Sequence, residues 1–358
     1  MKGCILTMPR KSLLAIARAS GNPVIETDSV TFVWQGKKAP LLIDDSHNWE
    51  EHPQRMHPAG PSIWTYRLSL VPDAYLEYAF LDPVTHERIN DPLNPNHIWN
   101  GINAYNHYFY MPKALPSQLA RKLDAVQSGS ITRYQVPALE FVTGRFRTVY
   151  LYQPPVTSPV PLLLVYDGVD YLKRGKLNRI VDNLIAMKRI QPIAMALVQN
   201  GGRSRSVEYL CSESVLGFLG ECIFPLALKE LNLLPLENHS HGVLGASMGG
   251  LMSVFSAMRL PKVFSKVICQ SGVFITPEYQ FSVVDLVRYV PPVDIDIWMD
   301  AGRYEWLLEN NRQMHAILTS RQYKVHYREF SGGHNYTSWC RDLPHGLECL
   351  FPGPNAQP

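Results

Sequence analysis

Residues 245–249 read Gly-Ala-Ser-Met-Gly, after the strand-like run that begins at His241 and before the apolar, helix-like stretch Leu251 to Met258. No other segment of the 358-residue chain constrains the fold as much. A serine at such a strand-to-helix junction predicts a sharp, strained turn that exposes its hydroxyl, and residues two before and two after it pass too close for side chains. Gly245 and Gly249 remove those side chains, so Ser247 is the candidate nucleophile.

The segments around this turn extend the prediction. From about residue 130 onward, short β-branched or Leu-rich runs alternate with amphipathic stretches, the grammar of a mainly parallel sheet covered by helices. Strands are expected at 148–152, 162–166, 193–198, 243–247, 266–270, 295–299 and 324–329, and helices at 177–188, 215–231, 251–258, 306–319 and about 342–350. Residues from about 22 to 112 are instead dense in aromatics, Pro, Asn and Asp. They alternate in short runs such as Val30-Thr-Phe-Val-Trp34 and Tyr75-Leu-Glu-Tyr-Ala-Phe80, which predicts a β-sandwich. The expected architecture is α/β: an N-terminal extension (1–21), a small all-β sandwich (22–113), a linker (114–130) and an α/β-hydrolase domain with a mainly parallel central sheet (131–352).

A serine hydroxyl becomes a useful nucleophile when an imidazole takes its proton, and in this fold the histidine follows the last strand. Of twelve histidines, only His334, in Ser331-Gly-Gly-His-Asn-Tyr, both follows the final strand candidate and sits in a Gly-flexed turn before a terminal helix. The acid belongs between serine and histidine in sequence. Glu305, three residues after Gly302, is the expected partner, with Asp300 as the alternative. Two backbone N–H groups are needed for the developing oxyanion: that of Met248, and that of Val169 in the loop Tyr166-Asp-Gly-Val-Asp-Tyr171, where Gly168 is expected to permit the turn.

With these residues in view, the chain resembles the enterochelin (ferric siderophore) esterase family, within the esterase-D-like and feruloyl-esterase group of α/β hydrolases. The matching residues are Asp167-Gly168, Arg203-Ser-Arg205-Ser-Val-Glu208-Tyr209, Gly245-Ala-Ser247-Met-Gly-Gly250, Gly302-Arg-Tyr-Glu305-Trp306, Asn310-Asn-Arg312 and Gly332-Gly-His334 with Trp339. The resemblance implies an immunoglobulin-like N-terminal domain and hydrolysis of carboxylic esters through an acyl-enzyme, with a siderophore trilactone as the leading substrate. It also implies Ser247 as nucleophile, His334 as base and Glu305 as acid, although some siderophore esterases work with little more than a Ser-His pair. Asp167, Gly168, Arg203, Arg205, Glu208 and Trp339 then shape the substrate site, Arg203 or Arg205 acting with Glu208. The other reading of that group is a surface ion pair.

Lys173, Arg174, Arg203, Arg205 and Arg303 lie in loops suited to border a site for an anionic iron catecholate. Trp49 and Trp64 read either as sugar-stacking platforms or as buried sandwich residues. A feruloyl, acetyl or other carbohydrate ester is the alternative substrate class. A noncatalytic carbohydrate-binding protein on a hydrolase scaffold is a further reading. A prolyl-oligopeptidase-like peptidase fits the order of catalytic residues, but residues 22–113 are too short for a propeller.

Composition narrows the rest. Apolar residues make up 46% of the chain, charged residues 18%, and the net charge is +3; this is globular and too mildly basic to point to nucleic acid. The six cysteines, Cys4, Cys211, Cys222, Cys269, Cys340 and Cys349, form no CxxC pair, and scattered thiols predict a reducing compartment. The N-terminal segment lacks an apolar core of signal-peptide length, and no 18-residue apolar run occurs, so a cytoplasmic protein with no membrane partner is expected. No nucleotide loop, zinc spacing or calcium loop is present, so catalysis is expected to need no cofactor or protein-bound metal, any iron arriving with the substrate. The oligomeric state is not encoded in any of these signals.

Overall fold

A computed structural model describes residues 10–276 and 279–357. Cys4 and the start of the N-terminal extension lie outside the described residues. The chain divides into two compact units.

The first unit holds the residues up to Pro116 together with two later segments, Arg303–Trp306 and Ser331–Asn335. Its frame is two β-sheets. One runs in the order Val24–Ile25, Ser29–Gln35, Ile63–Ser69, His57–Gly60; the other runs Gln54–Arg55, Leu41–Asp44, Tyr75–Leu81, Tyr105–Tyr110, His97–Trp99, with Arg88–Ile89 also paired to Tyr75–Leu81. All pairings within both sheets are antiparallel. Val30 and Phe32 from one sheet and Leu42, Leu76, Tyr78, Phe80 and Phe109 from the other form one apolar cluster, as two-residue alternation dictates. A helix, Arg10–Ser20, adds Ala17 to a smaller cluster with Val24 and Val33.

Trp64 and Trp49 are half-buried rather than presented as open platforms. The Trp64 indole donates to the Gly36 carbonyl at 3.0 Å, and the Arg88 guanidinium lies 5.5 Å over the Trp49 ring. The buried Asp91 carboxylate ties this unit internally. It accepts from the Tyr78 hydroxyl at 2.6 Å, the Asn22 amide at 2.7 Å and the Leu93 N–H at 2.9 Å. Burial, with Asp91 beside it, raises the Tyr78 phenol well above its usual pKa, so it remains a donor at all ordinary pH.

The second unit carries the α/β fold. Its eight strands run in the order Ser130–Pro137, Phe146–Gln153, Ala194–Val198, Leu162–Val165, His241–Ala246, Phe264–Gln270, Asp296–Gly302, Lys324–Phe330. The first two pairings are antiparallel and all later ones parallel. Alternate residues of the central strands enter two separate cores. Leu162, Leu164, Val243, Val267 and Ile297 pack with Leu251, Met252, Val254 and Phe255 of the helix Met248–Arg259 and with helices farther along the chain. Leu163, Val165, Leu244, Ile268 and Trp298 pack on the opposite face with helices Leu177–Ala186 and Tyr336–Leu350. Burial on both faces is why these strands read as unbroken apolar runs.

Several elements differ from expectation. The edge strand Ser130–Pro137 was not among the expected strands; most of its residues are exposed, so it carries no apolar period. Helices Gly168–Lys173 and Ser282–Tyr289 were not expected. The helix expected at 215–231 is Glu213–Glu230 with a π-turn at Leu219–Ile223, just before Pro225. Proline lacks the N–H a regular ladder needs, and a wider turn accommodates it. The final helix starts at Tyr336, not near Asp342, and contains Pro344. Among the described residues no single helix is long and apolar enough to cross a membrane.

Replacing Asp91 leaves a buried phenol and a buried amide short of their acceptor. Asp91→Ala is expected to lower stability by about 2–4 kcal/mol, read as a lower urea midpoint monitored by tryptophan fluorescence; an unchanged midpoint would contradict this account of the knot.

Candidate active site

Strand His241–Ala246 ends immediately before Ser247 and helix Met248–Arg259 begins immediately after it. Ser247 sits at φ 59°, ψ −124°, a conformation that costs on the order of 1–3 kcal/mol for a residue with a side chain. Three backbone hydrogen bonds hold it there: Ser247 N–H to Gln270 O at 2.9 Å, Leu251 N–H to Ser247 O at 3.1 Å, and Val273 N–H to Ser247 O at 3.3 Å. At about 1 kcal/mol each they are of the right size to offset the strain. A Cβ on Gly245 would lie 2.2 Å from the Gly249 carbonyl oxygen, and one on Gly249 would lie 3.1 Å from Asp167 Oδ2. The first glycine is therefore a steric necessity and the second a tight fit. Met248 opens the helix, where an N–H has no intrahelical acceptor.

The loop after Leu162–Val165 differs in detail from expectation. Asp167, not Gly168, takes the left-handed turn, at φ 51°. Gly168 serves close packing instead: a Cβ there would meet the Leu197 carbonyl carbon at 2.3 Å. Gly168 and Val169 are the first two residues of helix Gly168–Lys173, so their N–H groups also lie at a helix start.

Asp167 is buried and saturated. It accepts from Arg205 Nε at 2.8 Å and Nη2 at 2.7 Å, and from the Asn200 amide at 2.7 Å, while its own N–H donates to the Tyr209 hydroxyl at 3.1 Å. The bidentate fork fixes the guanidinium plane, which also lies over the Tyr209 ring at 5.3 Å. Arg205 and Asp167 thus form one rigid group beside Gly249 and the Ser247 turn.

Glu208 does not pair with Arg203 or Arg205. It is buried against Arg147, accepting at 2.7 Å and 3.0 Å, and also accepts from the Thr143 N–H at 2.9 Å and hydroxyl at 2.6 Å. Burial alone would raise its pKa, but the hydrogen bonds from Arg147 and Thr143 outweigh it and hold the carboxyl below its usual value. Arg147 was not singled out in the sequence, although a charge inside the apolar strand Phe146–Gln153 is a signal that could have flagged it. Arg203 is exposed on the turn Gly202–Ser204. Trp339 is buried, its indole donating to Ser271 Oγ at 2.9 Å and its ring edge-on to Tyr336; Arg174 covers the other aromatic at 4.4 Å. Lys173 and Arg303 are exposed. Asn310 and Asn311 brace the loop after strand Phe264–Gln270, accepting from Phe274 N–H at 2.9 Å and Gly272 N–H at 3.0 Å.

The two candidate acids separate cleanly. Asp300 is fully buried within strand Asp296–Gly302, where Oδ2 accepts from the Trp298 indole at 3.0 Å and the Gln270 amide at 3.1 Å. Glu305 Oε2 lies 3.1 Å from His334 Nδ1. The Glu305 side chain is sealed from solvent while the imidazole keeps 21% exposure. A carboxylate on Nδ1 makes that nitrogen the donor and leaves the lone pair on Nε2. The Trp306 ring stands 6.3 Å from the imidazole. Both residues belong to the first compact unit, through its segments Arg303–Trp306 and Ser331–Asn335.

The chain is similar to proteins described as esterases. The model of the family described as Putative esterase matches residues 142–350. The chain is 25% identical over 295 residues to the iron(III) enterobactin esterase of Dickeya dadantii, covering 75% of this chain and 66% of that protein. It is 25% identical over 248 residues to the iron(III) salmochelin esterase of Escherichia coli O6:H1, covering 64% of this chain and 61% of that protein. The matched stretch therefore spans just under two thirds of each relative's length. The crystal structure of ferric enterobactin esterase from Salmonella typhimurium superposes with a TM-score of 0.74 at 19% identity, over 90% of this chain and 93% of that one.

Three expected outcomes follow from the carboxylates. Glu305→Gln should lower kcat for ester hydrolysis at least about tenfold without changing the melting temperature, whereas Asp300→Ala should lower stability by about 1–3 kcal/mol for each donor it strands; steady-state kinetics beside thermal melts separate the two. Glu208→Gln should cost about 3–5 kcal/mol at neutral pH by leaving Arg147 buried without its counter-charge. Because the folded-state pKa of Glu208 is depressed, its contribution is present above the unfolded value and is lost as pH falls through the folded one. Urea midpoints of the two proteins should therefore converge only once the pH has fallen below the depressed folded-state pKa.

Proposed function

The chain belongs to the esterase family whose model it matches, and on that premise we propose that it is a serine hydrolase of carboxylic esters acting on a siderophore lactone of the enterochelin type. The observation that carries the reaction class is the strained, glycine-flanked Ser247 in a chain that also holds His334 against a buried Glu305. Ser247 Oγ attacks the ester carbonyl as its proton passes to His334 Nε2. Glu305 keeps the imidazole in the required tautomer and stabilises its protonated form. The Met248 and Val169 N–H groups receive the oxyanion. Collapse expels the alcohol, protonated by His334, and leaves an acyl-enzyme that water hydrolyses by the same route.

The names of the two relatives, an enterobactin and a salmochelin esterase, support the substrate class. Such a substrate is an anionic catecholate, and Lys173, Arg203 and Arg303 are exposed cations suited to meet it, whereas Arg205 is committed to Asp167. Asp167, Gly168, Glu208 and Trp339 then act by fixing the backbone and side chains around them rather than by meeting the substrate.

Two antiparallel sheets over one core support an immunoglobulin-like reading of residues 22–113, joined through 114–130 to an α/β-hydrolase domain at 131–352. The five described cysteines are free thiols, which supports a cytoplasmic setting.

The test is a panel comprising an iron-loaded and an iron-free catecholate trilactone, a feruloyl ester and an acetyl ester, assayed with the protein and with Ser247→Ala. Trilactone is expected to be turned over with kcat/KM at least about tenfold above the simple esters, and Ser247→Ala to lose at least about a thousandfold. Turnover of the simple esters with none of the lactone would replace the substrate class by an aryl or acetyl ester. No serine-dependent turnover of any ester would overturn the reaction class.

A further inference from the structure

We infer that Asp45 and Tyr304 are positioning residues through which the N-terminal β-sheets hold the His334–Glu305 pair in its working geometry; the inference rests on reading that pair as base and acid. The histidine loop is held at four points within the first unit. Asp45 Oδ2 accepts from the Asn335 amide at 3.1 Å and from the Glu77 N–H at 2.8 Å. Gly333, on the other side of His334, lies so close that a Cβ there would be 2.1 Å from Asp45 Cγ. Tyr75 forms a parallel bridge with Gly332, its N–H donating to Ser331 O at 3.0 Å. Ser331 Oγ donates to Asp73 at 3.0 Å. One carboxylate of the second sheet's turn therefore touches the residues on both sides of the histidine.

The acid loop is held by Tyr304, the neighbour of Glu305. Its hydroxyl accepts from Val71 N–H at 3.0 Å, and its ring packs on the apolar cluster of the two sheets. Its N–H donates to Gly332 O at 3.1 Å, tying the acid loop to the histidine loop. Asp45 is itself well fixed. The preceding Asp44 accepts from Ser46 N–H and from the His47 imidazole, both at 2.8 Å, which closes the turn that carries it. Asp45 thus reaches the histidine loop through the Asn335 side-chain amide and the close approach of Gly333, and Tyr304 reaches it through its own backbone N–H. A displacement of about 1 Å in a reacting group is worth up to about a hundredfold in rate.

The experiment compares the full chain with Asp45→Ala, Asp45→Asn and Tyr304→Phe. Each is assayed on 4-nitrophenyl acetate, and its histidine ring is read by NMR of 15N-histidine-labelled protein, with the His334 signals assigned through His334→Gln. Asp45→Ala should lower kcat about ten- to a hundredfold with KM changed less than about threefold, and shift the His334 Nδ1–H resonance. Asp45→Asn, which keeps one acceptor oxygen, should recover part of both, and Tyr304→Phe should give a smaller loss of the same kind. Folded Asp45→Ala with unchanged kcat and ring resonance overturns the inference. If Asp45→Ala does not fold, an unchanged kcat and resonance in both Asp45→Asn and Tyr304→Phe overturns it equally. Failure of the unmutated protein to hydrolyse any ester would reject the esterase reading alone, because the ring resonance still reports whether Asp45 and Tyr304 set the imidazole.

Discussion

The turn at Ser247 is the constraint around which the α/β unit is built. A serine at φ 59° is stable only where neighbouring strands supply fixed partners, and here Gln270 on the adjacent strand and Val273 just beyond it provide them. That requires the strands on either side to be in register, which in turn requires apolar cores on both faces of the sheet. The glycines at 245 and 249 are the local expression of the same demand, since strand end and helix start approach to within the width of a methyl group. The covering helices, the packed strands and the asparagine braces at 310 and 311 converge on holding one backbone angle pair.

Charge is distributed in the molecule by the same principle of fixed partners. Asp167, Glu208, Asp300 and Glu305 are all buried carboxylates, yet their environments assign them different work. Asp167 and Glu208 each face an arginine fork, a geometry that fixes side-chain position strongly and leaves little capacity for a further ligand. Asp300 faces neutral indole and amide donors and joins two strands to a tryptophan. Glu305 alone among the four faces an imidazole that retains solvent exposure on the described surface. Chemistry that passes a proton along needs a partner with both a donor and an acceptor nitrogen, and among these partners only the imidazole offers both.

Much of this was legible in the sequence where the physics is local. The Gly-x-Ser-x-Gly turn, the apolar runs at 162–166, 193–198 and 266–270, and the placement of His334 after the last strand depend on residues near one another in the chain. What escaped was long-range or lacked a period. The strand Ser130–Pro137 faces solvent along most of its length and shows no alternation. Arg147 and Glu208 are 61 residues apart, and nothing near Glu208 announces that its partner is not a neighbouring arginine. The segment Asp44-Asp-Ser-His read as a turn, as it is, but a turn's sequence does not tell that both of its carboxylates are buried or that Asp45 lies beside a loop 290 residues away.

Those separations bear on how the protein is made. The contact between Val71 and Tyr304 spans 233 residues and that between Asp45 and Asn335 spans 290. Ribosomal synthesis delivers the N-terminal sheets first, the serine turn next, and the loops that carry Glu305 and His334 after both. Closing loops of that length is entropically unfavourable until enough of the molecule is folded to reward it. The His334 imidazole and the Glu305 carboxylate therefore reach their final places only after both long loops have closed, and a polypeptide that stops short of residue 331 lacks the contact by which Asp45 holds the histidine loop.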